Sequence, residues 1–344
     1  MRFQMKKRIV IFWMAGWGLS LLLFSCGGNG TQGTSLVSSS GRSSEMLLVC
    51  PNAWWHGSLG DSVRSVLLAP VPALPQVEPM FRVTQIDPSM MSPLYQKFRN
   101  ILVLQLDSTL TDGARLGFRR NCWATPQLVI MLRASSVTEI KEAFMQQRQS
   151  IVDGIMQAEM QRFQRAQRAQ QDNQIVRKME EKYHYHMVLP EGFIFAVQEE
   201  CFCWLRKETK YWGQHVMLYT EPYTDTNQFT TAYIRQLRDR YTRQYVLGRA
   251  DSSRAMVDDR YYPVENRRYD FPSSPYAVEL RGLWGLFGDP GDKMGGPFVS
   301  YTFLDTLNQQ VVCVDGFLYA PANEKRDLLR QVEAILLSVK PLKP

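Results

Sequence analysis

Apolar residues recur in short runs along most of this chain, and such runs are typical of buried β-strands. Several are bounded by proline, glycine or asparagine, which favour turns. The predicted strands cover residues 45–50, 81–86, 101–106, 127–132, 193–197, 201–205, 215–219, 297–304 and 310–319. The last two are separated by a short polar segment at 305–308, which predicts a hairpin.

Other segments carry apolar residues three and four positions apart, the spacing of one face of a helix. Such a face covers residues 59–67 and ends at Pro70, because proline interrupts a helix. Another covers 229–241. A last helix is expected to begin with a cap at Asn323 and to end before Pro341. Residues 249–275 are polar and irregular, and they predict a long loop.

The longest helical pattern covers residues 136–183 and begins with a capping box at Ser136 and Glu139. It predicts either one very long helix or two helices with a break near Asp172. Beyond Phe163 the apolar positions dwindle to alanines, so we expect the part after residue 160 to project beyond its own core. The candidate partner face on this part consists of Arg162, Arg165 and Arg168. The plainer alternative is a solvated helix surface.

The order of these elements predicts an α+β fold, with mixed or antiparallel sheets packed against amphipathic helices. We place an N-terminal half at 45–185, ending in the long helix, and a C-terminal half at 186–344. Each half ends with a strand, a polar cap and an amphipathic helix, and each carries an Arg-x-x-Trp sequence, at 120–123 and 281–284. These similarities leave two alternatives, two similar α+β halves or a chance likeness of common βα pieces.

The chain begins with a basic cluster and an apolar run at 9–24, and the sequence Leu-Phe-Ser-Cys occupies 23–26. This arrangement is typical of a lipoprotein signal peptide, here at 1–25. The alternative is a transmembrane anchor, which needs about 20 apolar residues. We therefore predict that cleavage leaves Cys26 as a lipid-modified N-terminus held in the lipid bilayer by several acyl chains. Small and polar residues dominate the following segment, so residues 26–44 are predicted to be a flexible tether.

The charge of the mature chain is close to balanced. The whole chain has 40 basic and 33 acidic residues, a formal net charge of +7. Without the signal's four basic residues, Arg2, Lys6, Lys7 and Arg8, 36 basic residues stand against 33 acidic ones. The high isoelectric point therefore gives no reason to expect nucleic-acid binding.

Five cysteines follow Cys26, an odd number with no spacing typical of a disulfide framework. Cys50, Cys201, Cys203 and Cys313 lie in apolar runs, so we expect buried thiols.

A zinc site is one candidate, because residues two apart on a strand point to the same side. His184 with His186, and Cys201 with Cys203, would then each present two ligands. The histidines follow a charged helix, however, where a solvated position is the plainer interpretation. We predict neither a metal nor a cofactor.

A catalytic triad is a second candidate, since His56, Ser58 and Asp61 closely follow a predicted strand. The chain lacks a Gly-x-Ser-x-Gly nucleophile motif. The plainer interpretation is that Ser58 starts a helix and that the neighbouring tryptophans pack. The sequence therefore favours a protein that is not an enzyme.

A ligand rim is the third candidate. The glycine-rich segment at 285–296 lacks the Gly-Lys-Ser/Thr of a phosphate loop, and we predict a mobile loop. Around it, Trp284, Phe287 and Phe298 form a candidate ligand rim, because aromatic faces near flexible glycines suit sugars or peptides. Ordinary core packing is the alternative.

Three motifs carry a family resemblance: Leu-Pro-Gln-Val-Glu-Pro at 74–79, Arg-Gly-Leu-Trp at 281–284 and Met-Gly-Gly-Pro-Phe-Val-Ser-Tyr at 294–301. Together with the cleavage box, they resemble a family of Bacteroidetes lipoproteins, the domain of unknown function 4837 family, over roughly residues 46–340. The family brings no known activity, cofactor or catalytic residue. In Bacteroidetes lipoproteins, acidic residues after the cysteine mark export to the cell surface. Their absence here implies an outer-membrane lipoprotein that faces the periplasm.

These observations predict a membrane-tethered, non-enzymatic binding or assembly module of the cell envelope, with an envelope protein or glycan as partner. The alternative is a periplasmic hydrolase that acts on envelope material.

Overall fold

In the computed structural model, which describes residues 36–343, the apolar runs of the sequence form two main β-sheets. The predicted signal peptide, Cys26 and residues 27–35 of the predicted tether lie outside the described residues. No helix among residues 36–343 is long and apolar enough to cross a membrane. The predicted α+β class is confirmed.

The helices and strands have the following bounds. The helices are α1 (Asn52–Trp55), α2 (Ser58–Leu67), α3 (Val137–Gln146), α4 (Arg148–Ala169), α5 (Asn173–Tyr183), α6 (Thr231–Tyr245) and α7 (Arg326–Leu336). The strands are β1 (Val37–Ser38), β2 (Glu45–Val49), β3 (Arg82–Ile86), β4 (Asn100–Leu106), β5 (Arg115–Arg120), β6 (Ala124–Thr125), β7 (Leu128–Ala134), β8 (Tyr185–His186), β9 (Ile194–Gln198), β10 (Phe202–Glu208), β11 (Gly213–Pro222), β12 (Arg254–Asp258), β13 (Glu265–Arg268), β14 (Ala277–Phe287), β15 (Gly295–Asp305), β16 (Gln310–Tyr319) and β17 (Lys340–Pro341).

The N-terminal sheet has the order β3-β2-β4-β7-β5. Its strands are parallel except for β5, which runs antiparallel to β7 at one edge. Helices α2, α3 and α4 cover one face, where Leu102, Ile130 and Phe144 are among the buried side chains. The opposite face carries a smaller apolar cluster, and the segment at 88–98 covers part of it.

The C-terminal sheet has the order β12-β14-β15-β16-β11-β10-β9, and β13 also pairs with β14. All of its pairs are antiparallel. Side chains from α5 and α7 join the core on one face, and α6 packs on the other. Since the N-terminal sheet is mainly parallel and this one is antiparallel, the two halves differ in topology.

The long helical pattern forms three helices. The break predicted near Asp172 is confirmed, because its carboxylate accepts hydrogen bonds from the backbone N–H groups of Gln174 (2.9 Å) and Ile175 (3.2 Å) at the start of α5. A second break lies at Gln147, between α3 and α4. Helix α5 packs into the core of the C-terminal sheet through Val176 and Met179, although the predicted boundary lies at 185/186.

The expectation that the chain projects after residue 160 is wrong. The Gln164 amide donates to the Ala334 carbonyl (3.3 Å), and the Gln167 amide donates to the Gln331 carbonyl (2.7 Å). Both acceptors lie on α7, so α4 lies against α7 through polar and small side chains. A search for branched apolar residues does not detect this kind of contact.

Two predicted loops contain residues that belong to strands. The predicted loop at 249–275 contains β12 and β13, and β13 is exposed along its whole length. The loop predicted at 285–296 is confirmed for residues 288–294, which lie outside any strand, whereas its two ends belong to β14 and β15. A Cβ on Gly296 would lie 2.0 Å from the Leu318 carbonyl oxygen. That glycine therefore permits a close approach of two backbone segments.

The end of the predicted tether is ordered. Strand β1 pairs with β6, and the Ser40 N–H donates to the Lys97 carbonyl (2.7 Å). Ser44 is fully buried, and its hydroxyl donates to Asp327 on α7 (2.6 Å). Composition suggested a flexible segment, but backbone pairing with the N-terminal half holds residues 36–44, although their apolar side chains, Leu36 and Val37, are exposed.

Helix α7 is capped from the other half of the chain. We expected a cap at Asn323, but the N-cap residue is Lys325, which makes no side-chain capping bond. The buried Glu78 carboxylate instead accepts from the backbone N–H groups of Lys325 (2.6 Å) and Arg326 (2.9 Å). The Arg326 guanidinium in turn donates to the Pro79 carbonyl (2.6 Å). The motif at 74–79 therefore joins the two halves.

Candidate functional site

The candidate site is a cavity of about 430 Å³ on the α6 side of the C-terminal sheet, near one end of the strands. Alternate residues of a strand share a face. Aromatic rings from four strands therefore line the cavity together: Trp204 of β10, His215 of β11, Trp284 of β14 and Phe317 of β16. His215 and Phe317 are direct cross-strand partners. The remaining lining residues are Arg206, Glu208, Thr209, Lys210, Tyr211, Trp212, Gly213, Val246, Leu247, Leu286, Met294, Tyr319 and Pro321.

The turn between β10 and β11 forms one wall. The Thr209 hydroxyl accepts hydrogen bonds from the N–H groups of Tyr211 (3.2 Å) and Trp212 (3.1 Å), and the Thr209 N–H donates to the Trp212 carbonyl (2.8 Å). Trp212 is half-buried in this turn, and Tyr211 is 63% exposed. The turn therefore presents two large aromatic side chains at the mouth of the cavity.

The cavity floor is a stack of rings. The His215 imidazole stacks on Phe317, with centroids 4.4 Å apart and an angle of 8° between the planes. Trp284 meets Phe317 edge-on at 5.2 Å, and its indole N–H donates to the Leu318 carbonyl (3.1 Å). Trp204 is tilted against His215 at 5.8 Å. Such packing fixes the orientation of each ring.

Two ring nitrogens of this floor have no partner. Trp204 is 9% exposed and His215 is 7% exposed, yet neither Trp204 Nε1 nor His215 Nδ1 makes a hydrogen bond within residues 36–343. Leaving a buried polar group unpaired costs about 1–3 kcal/mol. Both side chains line the cavity, so the two unpaired nitrogens lie in its wall.

His215 is neutral in this setting. Burial, together with the nearby Arg206 charge, lowers its pKa to about 3. A neutral imidazole offers one donor and one acceptor. The mouth adds charges of both signs, where Arg206 donates to Glu208 (3.3 Å) beside Lys210. The cavity thus combines aromatic faces, two buried ring nitrogens and a charged mouth.

This arrangement is suited to binding rather than to acid–base chemistry. Glu208 is the one carboxylate among the described lining residues, so a pair of carboxylates is not present there. His215 cannot serve as a general base near neutral pH with its proton affinity so low. Stacking surfaces and fixed polar groups are typical of small-molecule sites.

The three residues of the predicted ligand rim lie in three different surroundings. Trp284 lines the cavity. Phe287 is half-buried under the Arg260 guanidinium (4.8 Å) and does not line it. Phe298 is fully buried, with the Arg238 guanidinium 4.0 Å above its ring, so it is a core residue rather than a rim residue.

Sequence reasoning missed most of the cavity. Trp204, Trp212, His215 and Tyr319 come from three strands and one turn that are adjacent only after folding. One available signal was the alternation of Phe202 and Trp204 with other apolar residues on β10, which places both aromatic rings on one face.

The predicted triad does not assemble. His56 is exposed, Ser58 begins α2, and the Asp61 carboxylate pairs with Arg64 (2.6 Å) on the same helix. Trp54 and Trp55 pack against the N-terminal core. The hydrolase alternative therefore has no support at this position.

The four candidate zinc ligands also lie in different surroundings. His186 Nδ1 lies 2.6 Å from the Glu180 carboxylate, and His184 ends α5 in a left-handed conformation. Cys203 is buried 3.7 Å from the Met179 sulfur, and burial raises its pKa to about 12. Cys201 is exposed, which corrects the expectation of a buried thiol. No group of three or more His, Cys, Asp or Glu residues suits a metal in the part of the chain that is described.

The candidate partner face is not continuous. Arg165 and Arg168 are exposed, but Arg162 is 8% exposed. Its guanidinium donates to the buried Glu159 carboxylate (2.7 Å), to Asn100 Oδ1 (2.9 Å) and to the Arg99 carbonyl (2.7 Å). Arg162 therefore anchors α4 to the N-terminal sheet and is unavailable to a partner.

Comparison with known proteins gives two family matches. The family model described as domain of unknown function DUF8532 matches residues 39–168, and that of domain of unknown function DUF4837 matches residues 172–338. Neither description states an activity. No curated protein matches the chain.

Among solved structures, the chain is similar to the Ran-binding protein Mog1p of Saccharomyces cerevisiae. The identity is 8%, the TM-score is 0.29, and the match covers 46% of this chain and 91% of that one. A mutant of protein Mog1 gives 8% identity and a TM-score of 0.28, with 46% and 92% covered. These values are too low to support an argument about fold or function.

Proposed function

We propose that this chain, which matches the model of the DUF4837 family of domains of unknown function over residues 172–338, is a non-enzymatic lipoprotein that binds an envelope glycan in the aromatic cavity. The observation that carries the proposal is the pair of buried, unpartnered ring nitrogens, Trp204 Nε1 and His215 Nδ1, in a cavity lined by aromatic rings.

A sugar suits both features of the cavity. The C–H faces of a pyranose ring are apolar and stack on indole and phenol rings, while its hydroxyls both donate and accept hydrogen bonds. The Trp204 indole N–H would donate to a sugar oxygen, and the neutral His215 ring would pair with a hydroxyl. A purely apolar ligand would leave both nitrogens unpaired, which opposes its binding.

Membrane attachment through an acylated Cys26 is the second part of the proposal. Its support is the sequence Leu-Phe-Ser-Cys at 23–26 after a short apolar run. The absence of acidic residues directly after Cys26 supports an outer-membrane protein that faces the periplasm. Palmitate labelling of wild type and Cys26→Ala tests this part, and equal label in both would contradict it.

Calorimetric titration of the purified chain with chitotriose and with soluble peptidoglycan fragments tests glycan binding. We expect saturable binding to at least one of these probes. Trp212→Ala should weaken it by roughly 30-fold, the loss typical of an aromatic hot spot. Trp123→Ala is the matched control, since Trp123 is 38% exposed and lies in the other half. Failure of both probes to bind, or equal losses in the two variants, would contradict the proposal.

A further inference from the structure

A second cavity, of about 680 Å³, lies on the opposite side of the N-terminal sheet from α2, α3 and α4. Its floor consists of Val49, Val103, Val129 and Met131, which alternate along three neighbouring parallel strands. Met91 and Trp123 form part of its walls. We call this cavity the sheet groove. Its floor presents only apolar side chains to whatever occupies it.

The groove is open beside a glycine in the middle of β5. Gly117 pairs with Met131, and a Cβ built on Gly117 would meet no atom within 4 Å. Its φ is not positive, so the backbone does not require glycine there. Glycine in a strand interior weakens the strand, and it often marks a place where a ligand approaches closely.

One cation borders the groove. Arg119 follows Gly117 by two residues on the same face of β5 and lines the cavity. Its side chain is exposed and makes no ion pair with any residue that the structure describes. The groove therefore combines an apolar floor with a guanidinium at its border that has no ion-pair partner among the described residues.

Two exposed apolar side chains lie close in sequence to Met91 of the groove wall. Met90 is 53% exposed and Leu94 is 68% exposed in the segment that contributes Met91.

We propose that the sheet groove binds a long-chain fatty acid. Its alkyl chain lies on the apolar floor, between Val103 and Met131, and its carboxylate binds Arg119. A guanidinium binds a carboxylate through two parallel hydrogen bonds. A volume of about 680 Å³ falls within the range of small-molecule sites. A sugar would bury its hydroxyls against valine and methionine, which offer no partners. This inference concerns a different half of the chain and goes beyond the proposed glycan site.

The test uses the full mature chain after bound lipids are removed on a hydrophobic resin. Fluorescent cis-parinaric acid serves as the probe, and palmitate is the competitor. We expect saturable probe binding that palmitate displaces. Gly117→Phe should reduce affinity at least tenfold, because its ring would enter open space above Met131. An unchanged melting temperature and unchanged chitotriose binding would show that this variant is folded.

A second arm tests the placement of the carboxylate. Arg119→Gln should weaken palmitate about tenfold and leave hexadecanol unchanged. Arg120→Gln is the matched control, since Arg120 faces the other side of β5 and donates to Gln161 of α4 (2.9 Å). Palmitate that fails to displace the probe, wild-type affinity in Gly117→Phe, or displacement by lysophosphatidylglycerol alone would overturn the proposal. Equal effects of the two arginine variants would overturn the role of Arg119.

Discussion

At the scale of single residues, burial decides the chemistry of His215. Its ring is enclosed by Phe317, Trp204 and the strand backbone, and burial lowers its pKa to about 3. The folded protein therefore excludes a proton that the unfolded chain binds near its ordinary pKa of about 6.5. Stability from this residue is complete above about pH 6.5 and falls as the pH falls toward 3.

This predicts a difference between wild type and His215→Phe, which keeps the aromatic stack. Between pH 6.5 and 5, the wild-type free energy of unfolding should fall by up to about 1.4 kcal/mol per pH unit more than that of the variant. Urea unfolding at several pH values measures this. Buried carboxylates with depressed pKa, such as Glu279 at about 2, lose their contribution below this window. Parallel pH profiles of the two proteins would contradict the prediction.

The three arginines of α4 provide a second prediction at the residue scale. Arg162→Gln leaves the buried Glu159 carboxylate without its closest cation, and breaking a buried pair costs on the order of 3–5 kcal/mol. Arg165→Gln combined with Arg168→Gln should change stability by less than about 0.5 kcal/mol, because both side chains are exposed. Denaturant unfolding distinguishes the variants. A small loss for Arg162→Gln would show that Glu159 does not depend on it.

At the scale of elements, the sequence predicted most strands and helices of both cores. It failed where packing does not use branched apolar residues. Helix α4 meets α7 through glutamine amides, and β14 carries the buried Glu279 and the partly buried Arg281, which pair with each other (2.8 Å). A charged residue in a run suggests a loop unless its partner is known, and Glu333 of α7, the other partner of Arg281, is distant in sequence.

The strand order also could not be predicted from the sequence. Five strands of one half are mainly parallel and eight of the other are antiparallel, although the apolar runs of both look alike. The aromatic cavity depends on this order, because β10, β11 and β16 must be neighbours for Trp204, His215 and Phe317 to meet. Among the candidate site residues of the sequence analysis, Trp284 alone therefore lines the cavity.

The capping of α7 leads to a prediction at the element scale. Glu78→Gln removes the negative charge that two backbone N–H groups at the start of α7 share. We expect a loss of about 1–2 kcal/mol, since a carboxylate at a helix N-terminus both caps and complements the helix dipole. Glu324→Gln is the control, because its side chain is 65% exposed. Equal unfolding midpoints for the two variants would contradict the role of Glu78.

At the scale of the whole molecule, two family matches meet between residues 168 and 172, yet residues 36–343 belong to one compact unit. Arg82 pairs with Asp327 across the two halves (2.8 Å), and Arg330 donates to the buried Ser44, just before the N-terminal half. The aromatic cavity and the sheet groove belong to different halves. Ligands at the two sites can therefore be tested independently in one protein.

Fluorine NMR of the 5-fluorotryptophan-labelled chain, titrated with chitotriose and peptidoglycan fragments, tests glycan binding in the aromatic cavity most directly. Single Trp→Phe variants assign the resonances. We predict that the signals of Trp204, Trp212 and Trp284 shift and saturate together, because all three line the cavity. Those of Trp54, Trp55 and Trp123, in the N-terminal half, should stay in place. Shifts confined to the latter three tryptophans, or no shift at all with either probe, would contradict glycan binding there.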